Sequence, residues 1–157
     1  MPISPKRLLA ESPVFAGLTS DTLDYFIRVC PLTDIPEGEY FFRERDDGKS
    51  MFVLLEGAAK VFKRADIERR LLNQLSEGDC FGEMALIDRG PRSASVQAVT
   101  AARALELTSD IFFGLKNTNV LQFVEMYMNI SRGLSRRLRA SDERLFAILD
   151  SRRREQP

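Results

Sequence analysis

Glu83 and Arg92 are the residues best placed to do chemistry, and that chemistry is recognition rather than bond breaking. They stand in Phe81-Gly82-Glu83-Met84-Ala85-Leu86, followed after a short turn by Gly90-Pro91-Arg92-Ser93-Ala94. Gly82 carries no side chain, so the backbone there can be approached closely. Glu83 to Leu86 fits a single helical turn, whose first N–H groups lack partners and can face an anion. Gly90-Pro91 then reverses the chain. The Arg92 guanidinium offers a planar fork of donors and a permanent charge, which suits a phosphate. Ionised Glu83 can only accept hydrogen bonds, so it calls for a hydroxyl. One ligand with a phosphate and a nearby hydroxyl satisfies both. The chain has no histidine at all, which removes His-based acid–base catalysis and His metal ligation. No activated nucleophile or metal cluster is readable, so an enzyme such as a hydrolase is not expected, nor is a metal or cofactor.

The same stretch resembles the phosphate-binding cassette of cyclic-nucleotide-binding domains. That pattern is roughly Phe-Gly-Glu-x-Ala-Leu, a variable turn, then Arg-[Ser/Thr/Ala]-Ala, and residues 81–86 with 92–94 match every fixed position. Gly38, Gly48, Gly57 and Gly78 also fall where the family turns between strands. The resemblance runs from about Phe15 to Asp150. It implies an eight-stranded β-roll of the jelly-roll kind, and a regulatory sensor whose ligand is cAMP, with cGMP as the alternative. The bacterial catabolite-activator type is the nearest pattern.

The resemblance also implies contacts. Gly82, Glu83, Met84, Ala85, Arg92, Ser93 and Ala94 form the cassette, with the phosphate on Arg92 and on amides around Ala85. Glu83 would take the ribose 2′-hydroxyl. Ser93 would add a phosphate or base contact, compatible with guanine as well as adenine. Leu72, Asn73 and Leu75 match positions beside the base and sugar, Ser141 a position facing the purine, and Arg137 could reach the ligand. Each has a plainer reading. An isolated Arg92 or Arg137 is a solvated arginine, Glu83 an acid favoured at a helix start, Ser93 the start of a strand, Leu72 and Leu75 core, and Ser141 a small polar residue in a helix seam.

The elements that must position these residues follow from pattern. Pro5 to Glu11 and Thr19 to Val29 read as helices, the second capped within Thr19-Ser20-Asp21 and stopped by Pro31. Short apolar runs broken by Pro36-Glu37-Gly38, Asp46-Asp47-Gly48, Gly57 and Glu77-Gly78-Asp79 predict strands at 32–35, 40–43, 51–56, 58–63, 69–75, 93–98 and 101–107. Such spacing suggests a barrel or sandwich. The fold class is mainly β with flanking helices (α+β). Ser109-Asp110 could cap a short helix through Leu115, and one long helix is expected from Val120 to Ser151. Tyr127, Ile130, Leu134, Leu138, Ser141, Leu145 and Ile148 recur at spacings of three and four, the seam of a helix that pairs with its own copy. The organisation expected is therefore 1–31 helical, 32–108 β-roll with its cassette at 81–94, 109–151 the short and long helices, and 152–157 a disordered basic tail.

Composition sets the outer limits. Apolar residues at 44% and charged residues at 29% are ordinary for a globular chain. Acids and bases balance at 23 each, so no global basic field draws in nucleic acid. Cys30 and Cys80 have no metal spacing and suit a reducing compartment, and Met1 to Ala10 lacks a signal-peptide run. A cytoplasmic location with no membrane span is expected. Sequence-specific DNA binding would need a helix-turn-helix after the long helix. None is read before Pro157, so direct DNA binding is not expected. The chain is read as a stand-alone sensor or as a fragment of such a regulator.

Overall fold

The computed structural model describes residues 3–65 and 67–154. Helix α1 (Pro5–Glu11), a 3-10 turn (Pro13–Phe15) and helix α2 (Ser20–Val29) precede eight strands. These are β1 (Leu32–Ile35), β2 (Tyr40–Phe42), β3 (Ser50–Glu56), β4 (Ala59–Ala65), β5 (Glu68–Leu75), β6 (Cys80–Phe81), β7 (Ser95–Ala98) and β8 (Ala102–Thr108). Helix α3 (Glu83–Asp88) lies between β6 and β7, and α4 (Ser109–Thr118) and α5 (Val120–Arg154) follow β8. The strands form two antiparallel four-stranded sheets, ordered β1-β8-β3-β6 and β2-β7-β4-β5. This is the expected jelly roll. β6 was not anticipated, because a two-residue strand has no period to read.

Strand β3 explains the layering. Ser50 to Leu55 are all buried, because alternate residues serve different cores. Phe52 and Leu54 join Phe81, Val96, Ala98 and Ala104 inside the roll. Met51, Val53 and Leu55 join Phe15, Phe26, Phe112, Met126 and Ile130 in a core beneath the helices. Thr19 caps α2 as expected, its Oγ1 accepting from the Thr22 amide at 3.3 Å. The cap of α4 is Thr108, which accepts from the Ile111 amide, rather than Ser109. The Ser109 hydroxyl instead donates to the Lys49 carbonyl at 2.9 Å.

The long helix departs from expectation in two ways. It runs on to Arg154, so Arg152, Arg153 and Arg154 are helical and not a disordered tail; residues 155–157 lie outside the described residues. An Arg154–Asp150 pair at 2.9 Å, one turn apart, and the preference for cations at a helix C-terminus favour this extension. The seam also splits. Ile130 is 1% exposed and Leu134 packs on the same core, while the Asn129 side-chain amide donates to the Val14 and Ala16 carbonyls at 3.2 and 2.7 Å. The first half of α5 thus serves the chain's own core, and Leu138, Leu145 and Ile148 remain exposed. Periodicity reports an apolar stripe but not what covers it. No helix among the described residues is long and apolar enough to cross a membrane.

Burial pushes both thiols up to about 12, since it disfavours the thiolate. The native chain is therefore expected to react only slowly with a thiol-specific disulfide reagent at about pH 8, well below that value. Both cysteines should react at once in denaturant. Rapid native labelling of the buried Cys30 would show that its surroundings open.

Candidate functional site

The site is built around an arginine that has been folded inward. Arg92 is only 6% exposed. Its Nη1 donates to the Ser50 carbonyl at 2.7 Å and to the Gly82 carbonyl at 3.1 Å, and Nη2 to the Ser50 hydroxyl at 3.3 Å. The guanidinium lies 3.9 Å from the centroid of the Phe42 ring, a cation–π contact. Two glycines make room for it. A Cβ on Gly82 would stand 2.6 Å from Nη1, and one on Gly48 would stand 3.0 Å from Nε and 2.4 Å from the Ala85 Cβ. Gly82 also holds φ at +81°, where other residues are strained.

This arrangement leaves charge unmatched. The immediate partners of Arg92 are neutral carbonyls, a hydroxyl and a ring, and its buried Nε has no partner among the described residues. Desolvation lowers its pKa, partly offset by the more distant Glu106, Asp46 and Glu83 carboxylates. Arginine nonetheless stays protonated. A cation desolvated in this way favours an incoming anion.

Helix α3 begins directly after Gly82 and carries Glu83, Met84 and Ala85 on its first turn. Glu83 is largely buried, with its side chain 14% exposed, and forms an ion pair and hydrogen bond with Arg137 of α5, which is 63% exposed. The long helix is thereby joined to the cassette. Ser93 directs its hydroxyl to the Met84 sulfur at 3.8 Å, and Ala94 is buried beside it.

These groups share one hollow of about 610 Å³. Every candidate borders it: Gly82, Glu83, Met84, Ala85, Arg92, Ser93 and Ala94 from the cassette, Leu72 and Asn73 from β5, and Arg137 and Ser141 from α5. Residues as far apart in sequence as Leu72 and Ser141 are therefore neighbours of one space. Leu75 lines it too while remaining buried in the core of the roll. Sequence reasoning missed Phe42, Lys63 and Arg144. Helical spacing could have found Arg144, which lies seven residues after Arg137 and three after Ser141 on the same face of α5.

The model of the cyclic nucleotide-binding domain family matches residues 32–119, more than half of the chain. The chain is 27% identical over 144 residues to the CRP-like cAMP-activated global transcriptional regulator of Mycobacterium tuberculosis, covering 91% of this chain and 62% of that protein. Its structure is similar to the Thermus thermophilus catabolite activator protein, with a TM-score of 0.80 at 30% identity over 87% of this chain and 63% of that one. It is also similar to the regulatory domain of Toxoplasma gondii PKA solved with cAMP, with a TM-score of 0.66 at 27% identity over 80% of this chain and 54% of that one. The chain thus spans about three fifths of the length of these two bacterial relatives. These relatives are regulators and a regulatory domain. With the family model matched over more than half of its residues and its fold similar to that of a catabolite activator protein, the chain belongs to the cyclic nucleotide-binding domain family.

Proposed function

We propose that the hollow receives one cyclic nucleotide, cAMP in preference to cGMP, and that the chain is a cytoplasmic sensor signalling through α5. The observation that carries this reading is the convergence of Arg92, Glu83, Arg137 and Ser141 on one space. Arg92 supplies charge to the cyclic phosphate from the floor of the hollow, and Ser93 stands beside it. Glu83 accepts the ribose 2′-hydroxyl. Leu72 and Asn73 flank the base, and Ser141 meets its edge from the helix. The preference for cAMP rests on relatives described as cAMP-activated or solved with cAMP.

Signalling follows from the ion pair. Glu83 is tied to Arg137, so a ligand that engages Glu83 changes the balance of contacts between roll and helix. It can shift that arrangement only by its difference in affinity for the two. The exposed leucines of α5 support a homodimer through this helix. The output would pass from the basic end of α5 to a partner or a further domain, the second reading being the sensor portion of a catabolite-activator-like transcription regulator.

Calorimetry with cAMP and cGMP tests ligand and base together. One site per chain is expected, tighter for cAMP. Removing the ribose hydroxyl and truncating Glu83 should be non-additive, because both delete the same contact. Thus 2′-deoxy-cAMP and Glu83→Ala should each weaken binding, and the pair should weaken it little further. Fully additive losses would place the ribose away from Glu83.

A further inference from the structure

The sheet that forms one wall of the cassette hollow has a second hollow on its other face, of about 780 Å³. A bulge in β2 turns Tyr40 and Phe42 to opposite sides, so Phe42 lines the cassette hollow and Tyr40 the outer one. Alternation along β4 sends Phe62 and Arg64 outward and Val61 and Lys63 inward. Four arginines border the outer hollow: Arg43, Arg45, Arg64 and Arg69. In a chain whose acids and bases balance at 23 each, that is a concentrated field of one sign.

The arginines are also held in place. The Arg43 guanidinium lies 4.1 Å from the Tyr40 ring centroid and that of Arg69 4.9 Å from the Phe62 centroid. Nη1 of Arg69 donates to the Tyr40 hydroxyl at 2.7 Å. Stacking on a ring fixes the plane of a guanidinium and leaves most of its N–H edge free. The one lining carboxylate, Glu44, accepts from the Arg64 backbone amide at 3.0 Å and sits 4.0 Å from Lys63. Among the described residues, none of the four guanidiniums has a carboxylate within ion-pair distance. Asp46, the next acid along, accepts instead from the Arg43 backbone amide at 2.9 Å.

We propose that this face is a second anion site, for a small di- or triphosphate. Several forks spread around one concavity suit several phosphoryl groups better than one. One guanidinium lies over each of the two rings, which favours recognition through phosphoryl oxygens over base stacking. The turn carrying Arg43 and Arg45 is bonded to the cassette, since the Arg45 amide donates to the Arg92 carbonyl and the Arg92 amide to the Asp46 carbonyl, each at 2.8 Å. Occupation of the outer face is thus felt at the backbone of Arg92.

The test is titration calorimetry of the full chain with inorganic tripolyphosphate at about 0.15 M salt, where weak surface attraction is screened. One saturable site is expected, weakened at least about tenfold by Arg64→Glu, whose exposed side chain leaves the fold intact. Arg69→Gln should weaken it as well. Ser93→Glu, which puts a negative charge in the cassette hollow, should leave it in place. Binding lost in Ser93→Glu and kept in Arg64→Glu would assign the anion to the cassette and overturn the proposal. So would the absence of saturable binding, or binding of a single-stranded oligonucleotide without binding of tripolyphosphate. Failure of this proposal is distinguishable from failure of the cyclic-nucleotide reading, because calorimetry with cAMP reads the inner hollow separately.

Discussion

Arg92→Ala is expected to lower cyclic-nucleotide affinity by about 30-fold to a few thousand-fold, the equivalent of roughly 2–5 kcal/mol for a charge-assisted contact in a desolvated site. The basis is its burial. The guanidinium has been desolvated against Phe42 and neutral carbonyls, so it meets an anion without first shedding water or a competing carboxylate. Arg92→Lys separates charge from shape. Lysine keeps the charge but cannot donate in parallel from one plane to Ser50, Gly82 and a phosphate. An intermediate loss is expected. Calorimetry on both variants, with thermal melts to confirm folding, measures the difference. An alanine variant that binds within about twofold of the parent would remove Arg92 from the site.

Leu138→Glu combined with Leu145→Glu is expected to convert a dimer into monomers while the cassette still binds. Both side chains are more than half exposed in the single chain, at 64% and 56%, and lie two turns apart on α5, on one face. Burying a leucine contributes at least about 1.5 kcal/mol, so four leucines across a two-fold interface contribute on the order of 6 kcal/mol. Losing them would raise the dimer dissociation constant by roughly ten-thousand-fold, before the added cost of burying carboxylates. Leu134 is avoided because it packs on the chain's own core, and changing it would confuse assembly with stability. Sedimentation at high concentration reads the result. A parent protein that sediments as a monomer would dispose of the dimer.

The cassette was legible because its chemistry is local. Gly82, Glu83 and Arg92 fall at fixed spacings, and the turns around them are written in glycine and proline. Even Ser141, far away in sequence, was reachable through the family resemblance, and it does border the same hollow. What escaped depends on distant partners. The inward fold of Arg92 needs the ring of Phe42 and the bare backbone of Gly48, and arginine is ordinarily exposed. The division of the α5 seam needs Asn129 and Ile130 to find the N-terminal turn and its core. The outer arginines drew no attention because they come from three separate stretches of the sequence, and only the bulges of β2 and β5 gather them.

The free length of α5 has a mechanical consequence. The helix is held by the core through Leu134 and joined to the cassette at Arg137, and beyond that its side chains are mostly exposed up to Arg154. At about 1.5 Å per residue, the segment from Arg137 to Arg154 is about 25 Å long. On the proposed signalling route this segment, alone or paired with its copy, is a lever with its pivot beside the hollow. A tilt of about 10° there swings the tip by about 4 Å, on the order of a full residue step along the chain. By that route a small change at the hollow would reach the arginine-rich end as a displacement large enough to make or break a contact.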